Sequence, residues 1–273
     1  MTSTFLGVPG GQLFVVDEGS GPPIVLLHAG IADQRSWNDM VPLLNAAGYR
    51  TIRYDQRGAG RTTTEDVSFS RIDDLVAVLD ALGINRAVLV GNSMGGQLAF
   101  DTALEHPDRV VAIVGVGAGL GGFDGGNTAV ELALFKEMER LEEQDPVDPA
   151  AVAEIDAQVW VDGPGQPATR VPAAVRTLVL EMDFWDPSKP QGKPIRLDPP
   201  ASERLAELRC PVLAVAGELD VSEVAVTARH LEANAENARA LVWPDVAHMI
   251  GMEQPQRLAD AIVEFVAPLE RWS

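Results

Sequence analysis

Ser93 stands in the stretch Gly91-Asn92-Ser93-Met94-Gly95, directly after the apolar run "RAVLV". A Gly-x-Ser-x-Gly turn between a strand and a helix forces its serine into a strained backbone conformation and lifts the hydroxyl clear of the sheet. Gly91 and Gly95 leave room for the neighbouring chain at so sharp a bend. The plain alternative is a helix-capping serine in a glycine-rich turn, and five residues alone do not decide between the two. A nucleophilic serine needs a base to take its proton. The sequence has four histidines, His28, His106, His230 and His248. Of these His248 follows the last strand pattern and precedes the last helix, which puts it on a loop at the same sheet edge as Ser93. The imidazole needs an acid to fix its tautomer and steady its charge. Asp220, just past the strand pattern in "PVLAVAGELD", is the first choice over Glu218 and Asp245; its plain alternative is a cap for the following helix. The order serine, aspartate, histidine suits this chemistry on an α/β scaffold. An oxyanion would need two amides: one from Met94, after the nucleophile, and one from Gly30, in the loop after "IVLLH". His28 then shapes that loop.

These residues require a scaffold that delivers several loops to one edge. Continuous apolar runs mark strands at "PPIVLLHAG", "YRTIRYDQRG", "RAVLVGN", "RVVAIVGVG", "CPVLAVAGELD" and "ARALVWPDVAH". Continuous rather than alternating hydrophobicity indicates strands buried on both faces, as in a parallel sheet. Helical periodicity over 70–82, 94–106 and 255–266 fills the intervals. The alternation predicts a doubly wound α/β sheet with right-handed crossovers. It stops after Val116. From Phe123 to about Pro200 the patterns are helical, over 129–144, 150–161 and 172–182, followed by an extended connector "PSKPQGKPIRLDPP". A structureless loop of that length is improbable in a compact domain, so a mostly helical insertion is expected. The stretch "GLGGFDGGN" reads as a hinge.

Composition narrows the classes. The chain has 273 residues, 46% of them hydrophobic, which suffices for one full core. With 21 basic and 40 acidic residues the formal charge is −19, a surface that repels nucleic acid and anionic membranes. Cys210 is the sole cysteine, so neither an intrachain disulfide nor a cysteine-based metal site is possible. No secretion signal and no span of about 20 apolar residues is evident. A cytoplasmic protein acting on a small molecule fits these features. Oligomeric state is not legible.

Taken together, "HAG" at 28–30, "YDQRGAGRT" at 54–62, "GNSMGG" at 91–96, "GELD" at 217–220 and "AHMIGMEQP" at 247–255 resemble the α/β-hydrolase superfamily across essentially the whole chain. The resemblance implies an α/β fold with a mostly parallel central sheet of eight strands flanked by helices, and a helical cap inserted after strand 6. The expected division is core 1–122, cap 123–200 and core 201–273. The resemblance also carries over "DQRGAG" as a structural turn in which Asp55 and Arg57 pair. Epoxide hydrolases and haloalkane dehalogenases of this fold use an aspartate nucleophile, whereas this chain has Ser93. The expected function is therefore hydrolysis of a carboxylic ester or related acyl bond through Ser93, His248 and Asp220, with no cofactor or metal. Carbon–carbon bond hydrolysis and enol-lactone hydrolysis, as in aromatic catabolism, are alternatives. The carbon–carbon hydrolases typically place a tryptophan shortly after the histidine, and here Met249, Ile250, Gly251 and Met252 follow. A non-catalytic small-molecule receptor on the same fold is the alternative of another class. Trp37, Phe123, Phe135, Trp160 and Trp185 are candidate substrate-binding residues, with Leu132 and Phe184 in the same apolar set. Arg170 and Arg176 are candidates to hold a substrate carboxylate.

Overall fold

The computed structural model describes residues 1–183 and 189–269. Eight strands form the central sheet: β1 (Thr2–Val8), β2 (Gly11–Glu18), β3 (Pro23–Leu27), β4 (Arg50–Tyr54), β5 (Ala87–Asn92), β6 (Val110–Val116), β7 (Val212–Gly217) and β8 (Ala238–Trp243). Their spatial order is β1-β2-β4-β3-β5-β6-β7-β8, with the two-residue strand Thr63–Thr64 also pairing with β2. From β4 to β8 every neighbouring pair runs parallel, while β1–β2 and β2–β4 are antiparallel. The expected mostly parallel eight-stranded sheet is thus present. The β1–β2 hairpin escaped the sequence reading. Its first strand is largely exposed, and its signal is the Pro9-Gly10 turn, where Gly10 takes a φ of +70°.

Alternate side chains of each strand feed two cores, as the period of two demands. On one face Val25, Leu27, Leu89 and Ile113 pack with α2 (Arg71–Ala81), α3 (Met94–Glu105) and α7 (Ser222–Asn234). On the other, Ile24, Leu26, Val88 and Val90 pack with α1 (Met40–Ala46) and α9 (Pro255–Val266). The helices expected over 70–82, 94–106 and 255–266 are present within a residue or so at each end.

Between β6 and β7 the chain leaves the sheet. This excursion carries α4 (Ala129–Glu142), α5 (Pro149–Asp156), which continues as a wider π-helical stretch Ala157–Asp162, and α6 (Ala173–Met182). A third apolar cluster fastens it to the sheet edge: Ala157, Val161, Val179 and Met182 pack with Ala29, Ala32, Met249 and Met252. Two polar ties add to it. Glu131, in the first turn of α4, completes a capping box with Thr128 and also accepts hydrogen bonds from the backbone N–H and hydroxyl of Ser222, the first residue of α7. Arg170 donates to the carbonyls of Val161 and Asp162 and ion-pairs with Glu253, whose carboxylate accepts the Ala247 amide.

The strand order reverses between β3 and β5, because the chain runs from β3 outward to β4 and then returns past β3. Open parallel sheets bind ligands beyond the carboxyl ends at such a switch point. The loops that leave β3 and β5 there are those carrying Gly30 and Ser93.

Candidate active site

Ser93 has φ 53° and ψ −116°, one of two non-glycine residues with positive φ among the described residues. Its neighbours explain how the fold holds this strain. A methyl group at Gly91 would strike the carbonyl of Gly95, and one at Gly95 the carbonyl of Leu27. The chains cross too closely for any other residue. Ser93 is the N-cap residue of α3, yet its side chain caps nothing. The hydroxyl is therefore not spent on the helix, which removes the plain reading of this serine. Met94, the next residue, opens α3, and amides in a first helical turn lack intrahelical acceptors.

His248 lies on the loop between β8 and α8 (Ile250–Glu253), nearly fully buried. Its Nδ1 is 2.7 Å from Asp220 Oδ2, and the aspartate side chain is fully shielded from solvent. Asp220 Oδ1 accepts the Val221 amide at 2.7 Å. With both oxygens held, Asp220 fixes Nδ1 as the protonated nitrogen and leaves Nε2 for the cavity. The N-cap position of α7 falls to Val221, with no side-chain cap. Asp220 thus serves the histidine, and neither Glu218 nor Asp245 bonds to that ring among the described residues. Asn92 supplies a further constraint that the motif itself does not announce. Its buried amide nitrogen donates to the carbonyls of Val116, at 2.9 Å, and His248, at 3.2 Å. One side chain thereby ties the strand of the serine to the loop of the histidine.

The loop after β3 is built around His28. Gln56 donates its backbone N–H to His28 Nε2 at 2.8 Å, so Nε2 accepts and Nδ1–H donates to the Ala29 carbonyl at 2.7 Å. Complete burial holds this imidazole neutral, its pKa lowered to about 4. His28 shapes the loop. The expected pairing of Asp55 with Arg57 does not occur. Asp55 accepts the amides of Gln34 and Arg61, while Arg57 forms a two-pronged ion pair with Asp74. The two side chains of the turn secure different segments.

A cavity of about 570 Å³ opens over the carboxyl ends of the strands. Ser93, His248, Gly30 and Met94 all line it, so four of the five expected catalytic and oxyanion residues share one chamber and Asp220 stands behind the histidine. A side chain at Gly30 would meet nothing within 4 Å; the space beside it is the cavity itself. The aromatic expectations divide. Trp160 lines the cavity and leans on the His248 ring with centroids 4.7 Å apart. Phe135 stands one layer behind, stacked on Trp160. Phe123 turns away and stacks on His230 at 4.1 Å. Leu132 faces solvent on the outer side of α4 and does not reach the chamber. Trp37 is a core residue beside Gly251, in the cluster of α1 and α9 on the far face of the sheet. The helical turn Gln34–Trp37 directs it into that core, beside Asn92 and Met252, instead of toward the chamber. Trp185 and Phe184 lie outside the described residues. Arg170 and Arg176 are both committed to ion pairs, Arg170 with Glu253 and Arg176 with Glu154 and Asp162, and neither lines the cavity.

Several polar lining residues had no signal in the motifs. Asp156 and Asp183, at the ends of two helices of the excursion, face one another within hydrogen-bond reach, with Glu142 nearby. Desolvation raises both carboxyls, the charge of Glu142 adds to each, and the Asp156 carboxylate pushes Asp183 further still, so the pair retains a proton at neutral pH. Their only trace in the sequence is an acid ending an otherwise apolar helical stretch. Arg71, the first residue of α2, also lines the chamber.

Comparison with known proteins bears on the family and the fold. Residues 24–261 match the family model described as "Alpha/beta hydrolase family". Epoxide hydrolase B of Mycobacterium tuberculosis is 39% identical over 101 residues, 35% of this chain and 28% of that protein. The chain thus spans little more than a quarter of that curated relative in the matched region. Among solved structures, Est816, described as an N-acyl homoserine lactone degrading enzyme, is 27% identical with a TM-score of 0.67, covering 96% of this chain and 100% of its own. A bromoperoxidase from Bacillus anthracis superposes with a TM-score of 0.79 at 20% identity, covering 97% and 100%; at that identity the likeness concerns the fold.

Proposed function

Because this chain belongs to the alpha/beta hydrolase family, we propose that it is a serine hydrolase cleaving a carboxylic ester or related acyl bond of a small to medium, largely apolar molecule. The observation that carries this reading is an uncapped serine hydroxyl, in a strained turn, sharing a chamber with a histidine whose far nitrogen is 2.7 Å from a buried aspartate. In this reading Ser93 Oγ attacks the acyl carbon and passes its proton to His248 Nε2. Asp220 holds the imidazole and steadies its positive charge. The amides of Gly30 and Met94 receive the oxyanion. His248 then protonates the leaving group, and water hydrolyses the acyl-enzyme by the same path. Residues 123–200 act as a helical cap, with Trp160 as the aromatic wall of the acyl site.

The similarity to epoxide hydrolases bears on the family and not on the bond cleaved, since those enzymes attack with aspartate and the nucleophile position here holds Ser93. A lactone is a second acyl substrate within the same mechanism. Est816, alike over nearly the whole chain, is described as degrading such a ring.

Turnover of a panel of p-nitrophenyl esters and lactones, compared between the native protein and Ser93→Ala, tests the reading. The expected loss is on the order of 10⁴-fold or more in kcat/KM, with covalent labelling of Ser93 by a fluorophosphonate. Native-rate turnover in Ser93→Ala would overturn it. Negligible turnover across the panel together with tight ligand binding would favour the receptor alternative.

A further inference from the structure

The Arg71 guanidinium stands without an acceptor among the described residues. Among the described residues it donates no hydrogen bond and forms no ion pair; its Nε is buried without an acceptor. The cation rests near the Phe69 ring, 5.7 Å away. Asp74, the nearest acid on its own helix, is already held in the two-pronged pair with Arg57. Arg71 also occupies the first position of an eleven-residue helix, where the dipole disfavours a cation. Desolvation lowers its affinity for its proton further. An arginine in such a place is a cost to the folded protein unless something anionic joins it.

What joins it must come through the cavity, because Arg71 lines the same chamber as Ser93 and His248. The acidic group at the other side of the chamber does not serve. Asp156 and Asp183 hydrogen-bond each other while the charge of Glu142 repels both, and none of the three figures among the charges acting on Arg71; those are Tyr54, Asp74, Arg196 and Asp101, and no acid among the described residues forms an ion pair with it. Building on the serine-hydrolase reading above, we propose that Arg71 anchors a carboxylate of the substrate, so that the preferred substrate is an ester or lactone bearing a second, free carboxyl group. A single guanidinium matches a planar monoanion in two-pronged geometry. A dianionic phosphate would meet one uncommitted cation, since the other arginine of the lining, Arg57, is held by Asp74, in a chamber that also contains Glu142, Asp156 and Asp183, which disfavours it. The anchor fixes which end of the molecule enters and which bond is presented to Ser93.

Matched substrate pairs test the anchor. One pair, 4-acetoxybenzoate and 4-acetoxybenzamide, carries the charge on the leaving-group side. The other, monoethyl glutarate and ethyl 4-carbamoylbutanoate, carries it on the acyl side. The native protein is expected to favour the anionic member of at least one pair. The ratio of anionic to neutral kcat/KM is expected to fall about tenfold or more in Arg71→Met, chiefly through KM, and to be partly restored in Arg71→Lys. A separate arm measures thermal shifts of the native protein and of Ser93→Ala with benzoate and glutarate against benzamide and glutaramide, which requires no turnover. Stabilisation by the anions that disappears in the Arg71 variants supports the anchor even where ester turnover fails, so failure of the catalytic reading is distinguishable. Equal responses to anion and amide in native protein, or a ratio unchanged by Arg71→Met, would overturn the anchor. Should Arg71→Met prove insoluble, the native preferences and Arg71→Lys decide the question alone.

Discussion

At the scale of single residues, the candidate site is organised by hydrogen bonds that leave selected atoms free. Among the described residues Ser93 Oγ and His248 Nε2 make no hydrogen bond to the fold, while Asn92, Asp220 and His28 around them are all committed. Asn92 shows how much such a neighbour can matter. Asn92→Ala leaves the carbonyls of Val116 and His248 without their shared donor. Loss of about 1–3 kcal/mol is expected in a urea melt, with kcat falling more than KM because the histidine loop loses its reference to the serine strand. The motif residues were legible because their chemistry demands particular types at particular strand ends. Asn92 was not, since its role depends on a carbonyl 156 positions away. The Asp55–Arg57 expectation failed for a related reason: adjacency in sequence says nothing about which way two side chains of a turn face.

At the scale of elements, the strands and helices were readable from continuous apolar runs and helical spacing, and the reversal of strand order explains why loops distant in sequence meet. The aromatic wall was less readable. An aromatic residue on an amphipathic segment marks a buried face without saying which cavity or core receives it, and so Trp37 went to the far face of the sheet and Phe123 to His230. The cationic candidates erred similarly. Arg170 proves to be a tie between the excursion and the histidine loop through Glu253. Arg170→Met is expected to lower the melting temperature and to reduce kcat about ten- to a hundredfold, since a displacement near 1 Å at a catalytic group carries penalties of that order. Differential scanning calorimetry and steady-state kinetics on one preparation check both, and an unchanged kcat would confine Arg170 to stability.

At the scale of the molecule, the carboxyl groups set a pH response. Burial raises Asp55, Asp101 and Asp156 to about 6 and Asp183 to about 9. A carboxyl whose folded pKa exceeds its unfolded value favours folding below the unfolded value, near 4, and that contribution is lost as pH rises through the folded pKa. His28, held neutral down to about 4, acts oppositely: its contribution is present above about 6.5 and is lost as pH falls. Between about pH 4 and 6 the four raised carboxyls outweigh the one histidine, so the melting temperature is expected to decline from about pH 4–5 upward, steeply to about pH 6 and more gently toward pH 9, and Asp183→Asn is expected to flatten the alkaline side. A steeper alkaline decline in that variant would contradict the assignment. The way the excursion is fastened bears on protein engineering. Glu131 holds the first turn of the helix that follows the aspartate loop, and Arg170 holds the carboxylate that braces the histidine loop. A chimera that replaces residues 123–200 to import a new specificity therefore also removes two supports of the loops that carry Asp220 and His248. Grafts that retain an acid at 131 and an arginine at 170 are the ones in which specificity can be exchanged without retuning the rest of the chain.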